Sequence, residues 1–402
     1  MKKIFACLFA VTIISTAAFS KNFFTQRFFE VKVGSDVSIS NNLFSANELL
    51  QKNLVIDLRK LADECPSSGF GIRASADPSV AINLNILNFH LGFSSGIELY
   101  DTVGIGKDLF TFLGYGNQVG QTLNFNFTND SDVFFVSKID VGLKLGKIKF
   151  TVTPSLFLPL VSIQNGQGVA SITNDANGNL NVRMNMAMPV YSFLDLKTTQ
   201  NGFTFDFEKL QSALLTGYGF DIGGDVSFAF TKSFTIGANC RIPMIPGRLR
   251  HKSLVQTGFE YSMNMTDGSQ PQQHMDAVQI SNTAADLAIS RPLKFGAYID
   301  KNLLGTMFNV HVGGGFGMKR PFTELSVFYP EYYVGLTFNL IDVFKVCVST
   351  EYRDQMFIHQ VGTTVNVRLF QIDLGVSSQS ANFKKSLAVA GVGAYAYVSV
   401  GF

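Results

Sequence analysis

The stretch SLAVAGVGAYAYVSVGF, residues 386–402, decides the fold class of this chain. Its even-numbered residues from Ala388 to Phe402 are all apolar, whereas the odd-numbered residues from Gly391 to Gly401 are small, polar or tyrosine. Successive side chains of a strand point to opposite faces, so the pattern predicts a strand with one apolar face. Most globular strands have roughly three to ten residues. A longer alternating segment is typical of strands that cross a membrane in a barrel.

The same alternation recurs along the chain, for example in residues 148–162, 343–354 and 358–369. A soluble sandwich of two sheets also alternates, but the length of these segments favours a barrel. We count about seventeen candidate strands, of which 27–40 and the short pair within 69–86 are the weakest. Single-chain bacterial barrels have an even number of strands. We therefore predict an all-β fold, an antiparallel up-and-down transmembrane barrel of roughly 14 to 16 strands.

The beginning of the chain predicts export. Two lysines precede an apolar run over residues 4–18, and small residues lead up to Ser20. This pattern is a secretory signal peptide, too short to be a membrane-spanning helix. A lipoprotein signal acylated at Cys7 would leave too short an apolar region. We expect cleavage near Ser20, so that residues 1–20 are the signal and residues 21–402 form one barrel without a linker.

Composition narrows the class further. Hydrophobic residues make up 46% of the 402 residues, yet no uncharged apolar run beyond the signal reaches the roughly 20 residues of a membrane helix. A membrane protein without spanning helices must be a closed barrel. Without the two signal lysines the formal net charge falls from +2 to zero, which gives no electrostatic argument for binding nucleic acid. The three remaining cysteines, Cys65, Cys240 and Cys347, allow at most one disulfide and form no metal-binding motif.

The polar faces of the predicted strands indicate the character of the lumen. They carry basic and acidic residues in nearly equal numbers, whereas a strongly selective ion pore would carry one sign. Opposite charges on neighbouring strands would pair and brace the wall. The candidate lumen residues are Lys138, Asp140, Asp221, Asp225, Arg241, Lys345, Glu351, Arg353 and Arg368.

Three stretches do not have the strand pattern. Within residues 41–68, the apolar residues from Ala46 to Leu61 mostly share one helical face, and we expect this helix either to plug the lumen or to lie at the periplasmic rim. Residues 208–215 predict a second short helix. Residues 103–129 predict a loop too apolar to extend freely into water. Its candidate ligand-capture residues are Leu109, Phe110, Phe112, Leu113, Tyr115, Phe125 and Phe127.

Both termini of a single-chain bacterial barrel are periplasmic, and this rule orients the connections. Counting back from Phe402, the tight periplasmic turns fall at 145–147, 341–342 and 370–371. Longer external loops are predicted at 101–132, 163–179, 267–286 and 319–329. The long segment 193–216 falls on the periplasmic side and does not fit this scheme; a short strand at 203–207 is one explanation.

No motif points to an enzyme. The glycine run at 313–317 is not followed by the helix that a phosphate-binding loop requires. Residues 174–179 lack the terminal glutamate of a calcium loop and favour a hairpin turn instead. The five histidines have no metal-ligand spacing. We therefore predict no catalytic residues, no cofactor and no metal.

The signal peptide, the long alternating strands and the terminal phenylalanine resemble a bacterial outer-membrane β-barrel, and the resemblance covers the whole chain. In that class the terminal aromatic, here Phe402, is read by the barrel-assembly machinery. The phenylalanine-rich, tryptophan-free composition, the helix within 41–68 and the apolar segment 103–129 are similar to spirochaete barrels related to the long-chain fatty acid transporter family. That resemblance implies about fourteen strands, an N-terminal hatch in the lumen and an external apolar region that captures ligand. The Asn-Pro-Ala sequence usual in that hatch is absent here.

These observations favour passive uptake of small hydrophobic molecules, such as long-chain fatty acids, across the bacterial outer membrane. The expected partners are outer-membrane lipid, the barrel-assembly machinery and a hydrophobic small molecule. A general diffusion porin is the second hypothesis, because the lumen is rich in glycine and carries charges of both signs. A surface adhesin or structural barrel is the third, and would use loops 267–286 and 319–329.

Overall fold

The computed structural model describes residues 27–45, 56–199, 202–205, 216–264, 266, 270–340, 343–367 and 369–402. The predicted signal peptide, the helical predictions over 46–55 and 208–215, and Arg368 lie outside these ranges. None of the helices that the structure describes is long and apolar enough to cross a membrane.

Strands dominate the described residues. The helices are α1 (Leu58–Glu64), α2 (Lys107–Tyr115) and α3 (Phe383–Leu387). The strands are β1 (Phe29–Asn41), β2 (Phe70–Ala76), β3 (Ser79–Ile86), β4 (Phe89–Ile105), β5 (Thr122–Leu145), β6 (Ile148–Asn174), β7 (Asn179–Ser192), β8 (Leu196–Thr199), β9 (Gly202–Phe205), β10 (Gly219–Thr231), β11 (Phe234–Ile245), β12 (Gly247–Asn264), β13 (Gln272–Met275), β14 (Gln279–Ile289), β15 (Leu293–Leu303), β16 (Phe308–Lys319), β17 (Val327–Leu340), β18 (Phe344–Arg353), β19 (Met356–Val367), β20 (Phe370–Ser380) and β21 (Gly391–Gly401).

The wall closes into a barrel because the first and last strands pair. β1 lies antiparallel to β21 from Glu30 opposite Gly401 to Ser40 opposite Gly391. Four positions in the wall are shared by collinear strands, namely β2 with β3, β7 with β10, β11 with β12, and β13 and β14 with β15. Counted by position, the barrel has fourteen spanning strands, numbered 1 to 14 in chain order. The predicted antiparallel barrel of 14 to 16 strands is confirmed.

The outer surface of the wall is apolar. Leu336, Val348, Val361 and Val376 lie opposite one another on four successive strands and are all exposed. Similar rows continue around the barrel, on a scale that soluble monomers do not expose to water. Lipid is the solvent that suits this surface. The fold is therefore a transmembrane β-barrel.

Glycines on the inner surface make room for luminal tyrosine rings. A Cβ atom added at Gly362 would lie 1.7 Å from the hydroxyl oxygen of Tyr395, and one at Gly237 would lie 2.1 Å from the ring of Tyr298. Real side chains never approach so closely. The glycines are therefore required where a ring lies flat against the neighbouring strand.

The two ends of the barrel differ. At the end that carries Phe402, β5 and β6 are joined by two residues, as are β3 and β4, and the predicted tight turn at 145–147 is confirmed. The turn predicted at 341–342 lies outside the described residues. The turn predicted at 370–371 is wrong, because β20 already begins at Phe370. All three described helices lie at the opposite end, which by the class rule for termini faces outward. We call these the periplasmic and outer ends.

Several predicted external loops are strand. β5, β6 and β12 have 24, 27 and 18 residues, whereas β15 to β21 have 10 to 14. The longer strands continue past the outer ends of the others. Much of the predicted loops 101–132, 163–179 and 267–286 therefore belongs to β4, β5, β6, β13 and β14, because cross-strand pairing continues where we expected turns.

The predicted periplasmic loop 193–216 is also wrong. β7 and β10 run in the same direction along β6, one after the other, so the segment between them leaves and re-enters spanning strand 6. The backbone N–H of Phe193 donates to the carbonyl oxygen of Leu160 at 2.9 Å, and that of Arg248 donates to Gly217 at 3.0 Å. The segment contains the hairpin β8–β9, close to the short strand suspected at 203–207.

Candidate functional site

Helix α1 lies at the outer end of the barrel. The Asp57 carboxylate caps its first turn by accepting from the backbone N–H groups of Arg59 and Lys60 at 3.0 and 3.1 Å. The helix follows the outer end of β1, so the described part of 41–68 is not at the periplasmic rim. None of residues 56–68 lines the luminal cavity described below. Burial raises the pKa of the Cys65 thiol at the end of this helix, against the opposing effect of Lys107.

Helix α2 packs on α1 through an apolar cluster. Leu43, Ala62, Cys65 and Phe110 are buried together. The absence of a side chain at Gly114 allows the two helices to meet, since a Cβ there would lie 2.7 Å from the backbone of α1. Part of the predicted apolar loop is therefore a helix that buries its apolar face.

The other side of α2 contacts the strands that extend beyond the barrel. Residues 122–129, 166–174, 179–187 and 255–264 form this extension, which we call the outer sheet. Its buried residues are Phe125, Ala170 and Ile172, and the α2 and strand residues packed against them are Leu109, Phe112, Phe127, Leu180, Val182 and Met184. The outer sheet and α1 thus enclose α2.

The seven candidate capture residues are divided by this packing. Phe110 and Phe125 are buried, and Leu109, Phe112 and Phe127 pack against the two clusters. Leu113 remains 42% exposed, and Tyr115 remains 57% exposed while its hydroxyl donates to Asp63 at 2.7 Å. The exposed part of the predicted capture surface is therefore the end of α2.

A cavity of about 400 Å³ lies in the lumen. Its lining carries seven cationic residues, Arg73, Lys138, Arg241, Lys294, Lys319, Arg320 and Arg353. Eight acidic residues, Asp36, Asp77, Glu98, Asp101, Asp130, Asp132, Glu351 and Asp354, balance them. The near-equal numbers of basic and acidic residues agree with the prediction made from the polar faces of the strands.

Arg291 makes the most buried ion pairs of the described lumen. It lies in the break between β14 and β15, and its side chain is only 1% exposed. Its guanidinium donates to both carboxylate oxygens of Glu98 at 2.5 and 3.1 Å and to Asp221 at 2.6 Å. Lys138 and Arg241 also approach Glu98, at 3.4 and 4.0 Å. Glu98 lies on spanning strand 3 and Arg291 on spanning strand 8, so the pair crosses the barrel.

A second set of ion pairs lies closer to the outer end. Arg320, in the connection after β16, donates to both carboxylate oxygens of Asp132 at 3.0 Å and also pairs with Asp130. Lys319 pairs with Asp130 at 3.0 Å. These contacts join spanning strands 4 and 9, so they too cross the lumen.

The turn between β18 and β19 completes this layer. Arg73 donates to the carbonyl oxygens of Asp354 and Gln355 at 3.1 and 3.2 Å. The Lys294 ammonium and the Tyr329 hydroxyl donate to the Asp354 carboxylate at 3.0 and 2.8 Å. Burial would raise the pKa of Asp354, but Lys294, Arg353 and these hydrogen bonds outweigh it and lower the pKa to about 2.

The structure distributes the predicted lumen residues over two levels. Lys138, Arg241, Glu351 and Arg353 line the cavity. Asp140 and Asp225 accept hydrogen bonds from Thr153 and Tyr298, in the periplasmic half. The remaining two described candidates are Asp221, which pairs with Arg291, and Lys345, which lies opposite Asn339 and Thr364.

The strand pattern missed the residues that hold the lumen together, namely Glu98, Asp130, Asp132, Arg291, Lys319 and Arg320. Arg291 is followed by Pro292. Within sheets, proline is confined to edge strands, strand starts and bulges, so Pro292 is the signal that would have identified the break. The sequence around Glu98 and Asp221, the partners of Arg291, has no comparable signal that would predict their pairing.

An apolar cluster lies where strand 6 is interrupted. It consists of Phe134, Val136, Phe157, Leu158, Phe193, Leu194, Leu249 and Ile289. Phe134 also lines the luminal cavity. The cluster therefore connects the inner wall with the start of the segment that leaves strand 6.

The closed antiparallel wall, the apolar exterior and the polar lumen define a transmembrane β-barrel of the outer-membrane type. No known protein family matches the chain, and no curated protein matches it. Among solved structures, the chain is similar to the P. putida toluene transporter TodX, at 9% identity and a TM-score of 0.47, over 94% of this chain and 91% of that one.

The comparison with solved structures also finds similarity to two further proteins. The CymD monoaromatic hydrocarbon channel is 10% identical, with a TM-score of 0.45, and the match covers 97% of this chain and 93% of that one. The translocator domain of the autotransporter NalP from Neisseria meningitidis is 7% identical, with a TM-score of 0.33, over 100% and 94% of the two chains.

Proposed function

We propose that this chain is an outer-membrane barrel for the uptake of small hydrophobic molecules. The observation that carries the proposal is the apolar assembly at the outer end, in which α1, α2 and the outer sheet pack around two apolar clusters. Long-chain fatty acids are the cargo we infer first. The outer membrane as location, cleavage near Ser20 and recognition of Phe402 by the assembly machinery belong to the same proposal.

Apolar side chains remain exposed around this assembly, beyond the lipid-facing band. Leu113, on α2, and Val119, just after α2, are 42% and 64% exposed. A patch of this kind outside the membrane has no lipid to cover it, and such patches mark binding surfaces. An apolar molecule could adsorb there before it reaches the barrel.

The ion pairs in the lumen argue against a general diffusion porin. Porins have 16 to 18 strands and leave an aqueous channel, whereas here side chains from opposite walls meet in the middle of the barrel. Eight acidic and seven basic residues around one cavity provide no field of a single sign.

Binding of cis-parinaric acid, a fluorescent fatty acid, to the detergent-solubilised barrel tests the capture surface. We expect Leu113→Asp combined with Val119→Asp to weaken binding about tenfold or more, because a charge at an apolar contact has to be desolvated. The matched control is Met275→Asp, which alters a side chain 71% exposed on β13, away from α2. Equal affinity of all three proteins would contradict a capture role for this surface.

Uptake is measured separately in proteoliposomes and in cells. TodX and CymD are named for toluene and monoaromatic hydrocarbons, so toluene and oleate serve as parallel cargoes. Faster entry of either one in vesicles with the barrel than in empty vesicles supports hydrophobic uptake, and the preferred cargo identifies the class. Sequencing the N-terminus of the protein from outer-membrane fractions tests export and cleavage near Ser20.

A further inference from the structure

We propose that the ion pairs of Arg291 with Glu98 and Asp221 form a septum that closes the lumen to ions and water-soluble solutes. The luminal septum is defined by these three residues. The proposal concerns what the barrel excludes and does not depend on the identity of its cargo.

The contacts of Arg291 with Glu98 and Asp221 place the septum across the barrel, and the burial of its side chains supports the closure. The side chains of Arg291 and Asp221 are each 1% exposed and that of Glu98 is 6% exposed. Water that filled an open lumen at this level would touch at least one of these charged groups. From this burial we infer that the septum closes the lumen below the cavity that Glu98 and Lys138 line.

The positions of the three residues on the wall explain the closure. Glu98, Asp221 and Arg291 belong to spanning strands 3, 6 and 8 of fourteen. Side chains that alternate into a regular wall reach their immediate neighbours, so a contact between strands five positions apart needs a departure from the wall. The break at Ser290–Pro292, between β14 and β15, provides this departure and directs Arg291 inward.

The charged groups of the septum are already paired with one another, which favours the exclusion of hydrated ions. A guanidinium bound to two carboxylates has its strongest donors occupied, so the site has little to offer a hydrated ion. Lys138 and Arg241 also lie beside Glu98, at 3.4 and 4.0 Å, so three cations contact this carboxylate. A second layer, formed by Arg320 with Asp130 and Asp132, covers the septum from the outer end.

Planar-bilayer recording in potassium chloride tests the septum. The test variant combines Arg291→Ala, Glu98→Ala and Asp221→Ala, which removes the three side chains without leaving a charge of this group unpaired. We expect the native chain to be silent and the variant to gain stepwise conductance about tenfold or more above the leak, because a cleared barrel of this width approaches the porins. Arg291→Lys, which keeps the cation, is expected to stay nearly silent.

The matched control is Arg248→Ala, which breaks an exposed ion pair with Asp286 between β12 and β14. It is expected to be as silent as the native chain. A heat-sensitive shift in electrophoretic mobility verifies that each variant is a folded barrel. Silence of the folded triple variant would overturn the proposal.

A measurement on the native chain keeps the proposal testable if the triple variant does not fold. Proteoliposomes that contain the native barrel are diluted into an isotonic solution of arabinose, and swelling is followed by light scattering. We expect the swelling rate of empty liposomes. Swelling at the rate of a general porin would refute a closed lumen without any substitution.

Discussion

Replacing Arg291 with methionine isolates the cost of an unpaired charge in the lumen. The substitution removes the guanidinium but keeps a long apolar side chain, so little volume is lost. Removing one partner of a buried ion pair typically lowers the free energy of unfolding by about 3–5 kcal/mol. We expect the loss of stability caused by Arg291→Met to lie in this range, because Arg291 pairs with two buried carboxylates.

The two carboxylates do not share the cost equally. Glu98 keeps Lys138 and Arg241 within 4.0 Å, whereas Arg291 is the only ion-pair partner of Asp221 among the described residues, and the Oδ1 atom of Asp221 is buried without a hydrogen bond there. Adding Asp221→Asn to Arg291→Met should therefore recover about 2 kcal/mol, within the range of couplings between contacting residues. Adding Glu98→Gln should recover less.

Urea-induced unfolding in lipid vesicles provides the free energies. Intrinsic tyrosine fluorescence is the appropriate signal, because the chain has 12 tyrosines and no tryptophan. Arg248→Met, in the exposed pair with Asp286, is the control and should cost about 0–1 kcal/mol. A loss below about 1 kcal/mol for Arg291→Met, or no recovery on adding Asp221→Asn, would refute the reasoning from buried charge.

Three further predictions concern the wall, the acid stability and the outer end. Gly362→Val should destabilise the barrel by about 1–3 kcal/mol or prevent assembly, because its Cβ would collide with Tyr395. Gly314→Ala is the control, since its Cβ would lie 3.8 Å from the carbonyl oxygen of Glu331, and equal yields of folded barrel would contradict this view. The pKa of Asp354 is lowered from 3.8 to about 2, so its contribution to stability is full above pH 3.8 and is lost as the pH falls through about 2; Asp354→Asn should flatten this part of the pH profile of urea unfolding, and an unchanged profile would count against it. Asp57→Ala removes a helix cap worth about 1 kcal/mol, which should appear as faster amide hydrogen exchange in α1 while the barrel strands keep their protection.

Local pattern predicts the wall of this protein well. The alternation over residues 386–402 indicated β21, although the strand begins only at Gly391, since helix α3 extends to Leu387. The same alternation recurs in nearly every spanning strand, because one face meets lipid and the other meets the lumen all around the barrel. Pairs of strands were also placed correctly where two residues join them, as at 145–147. Such features depend on the period of two in a strand and on nothing distant in the chain.

Contacts across the lumen could not be predicted in this way. Whether Glu98 meets Arg291 depends on the number of strands, their stagger and the break before Pro292, none of which is encoded near either residue. The same reason explains the error at 193–216, where two collinear segments occupy one wall position. The capture residues on α2 were identified by composition, but their division into buried and exposed members depends on α1 and the outer sheet.

The balance of charge in the lumen follows from the width of the barrel. Eight strands enclose a space that side chains fill, and 16 to 18 leave a channel. Fourteen strands enclose an intermediate width, which long side chains from opposite walls bridge here. Arginine, lysine and glutamate are long enough, yet each is costly to bury unless it meets its opposite. Near-equal numbers of cations and carboxylates are then a condition for closing the lumen. A barrel that selected ions would need an excess of one sign, and this excess would weaken the contacts that hold the septum together.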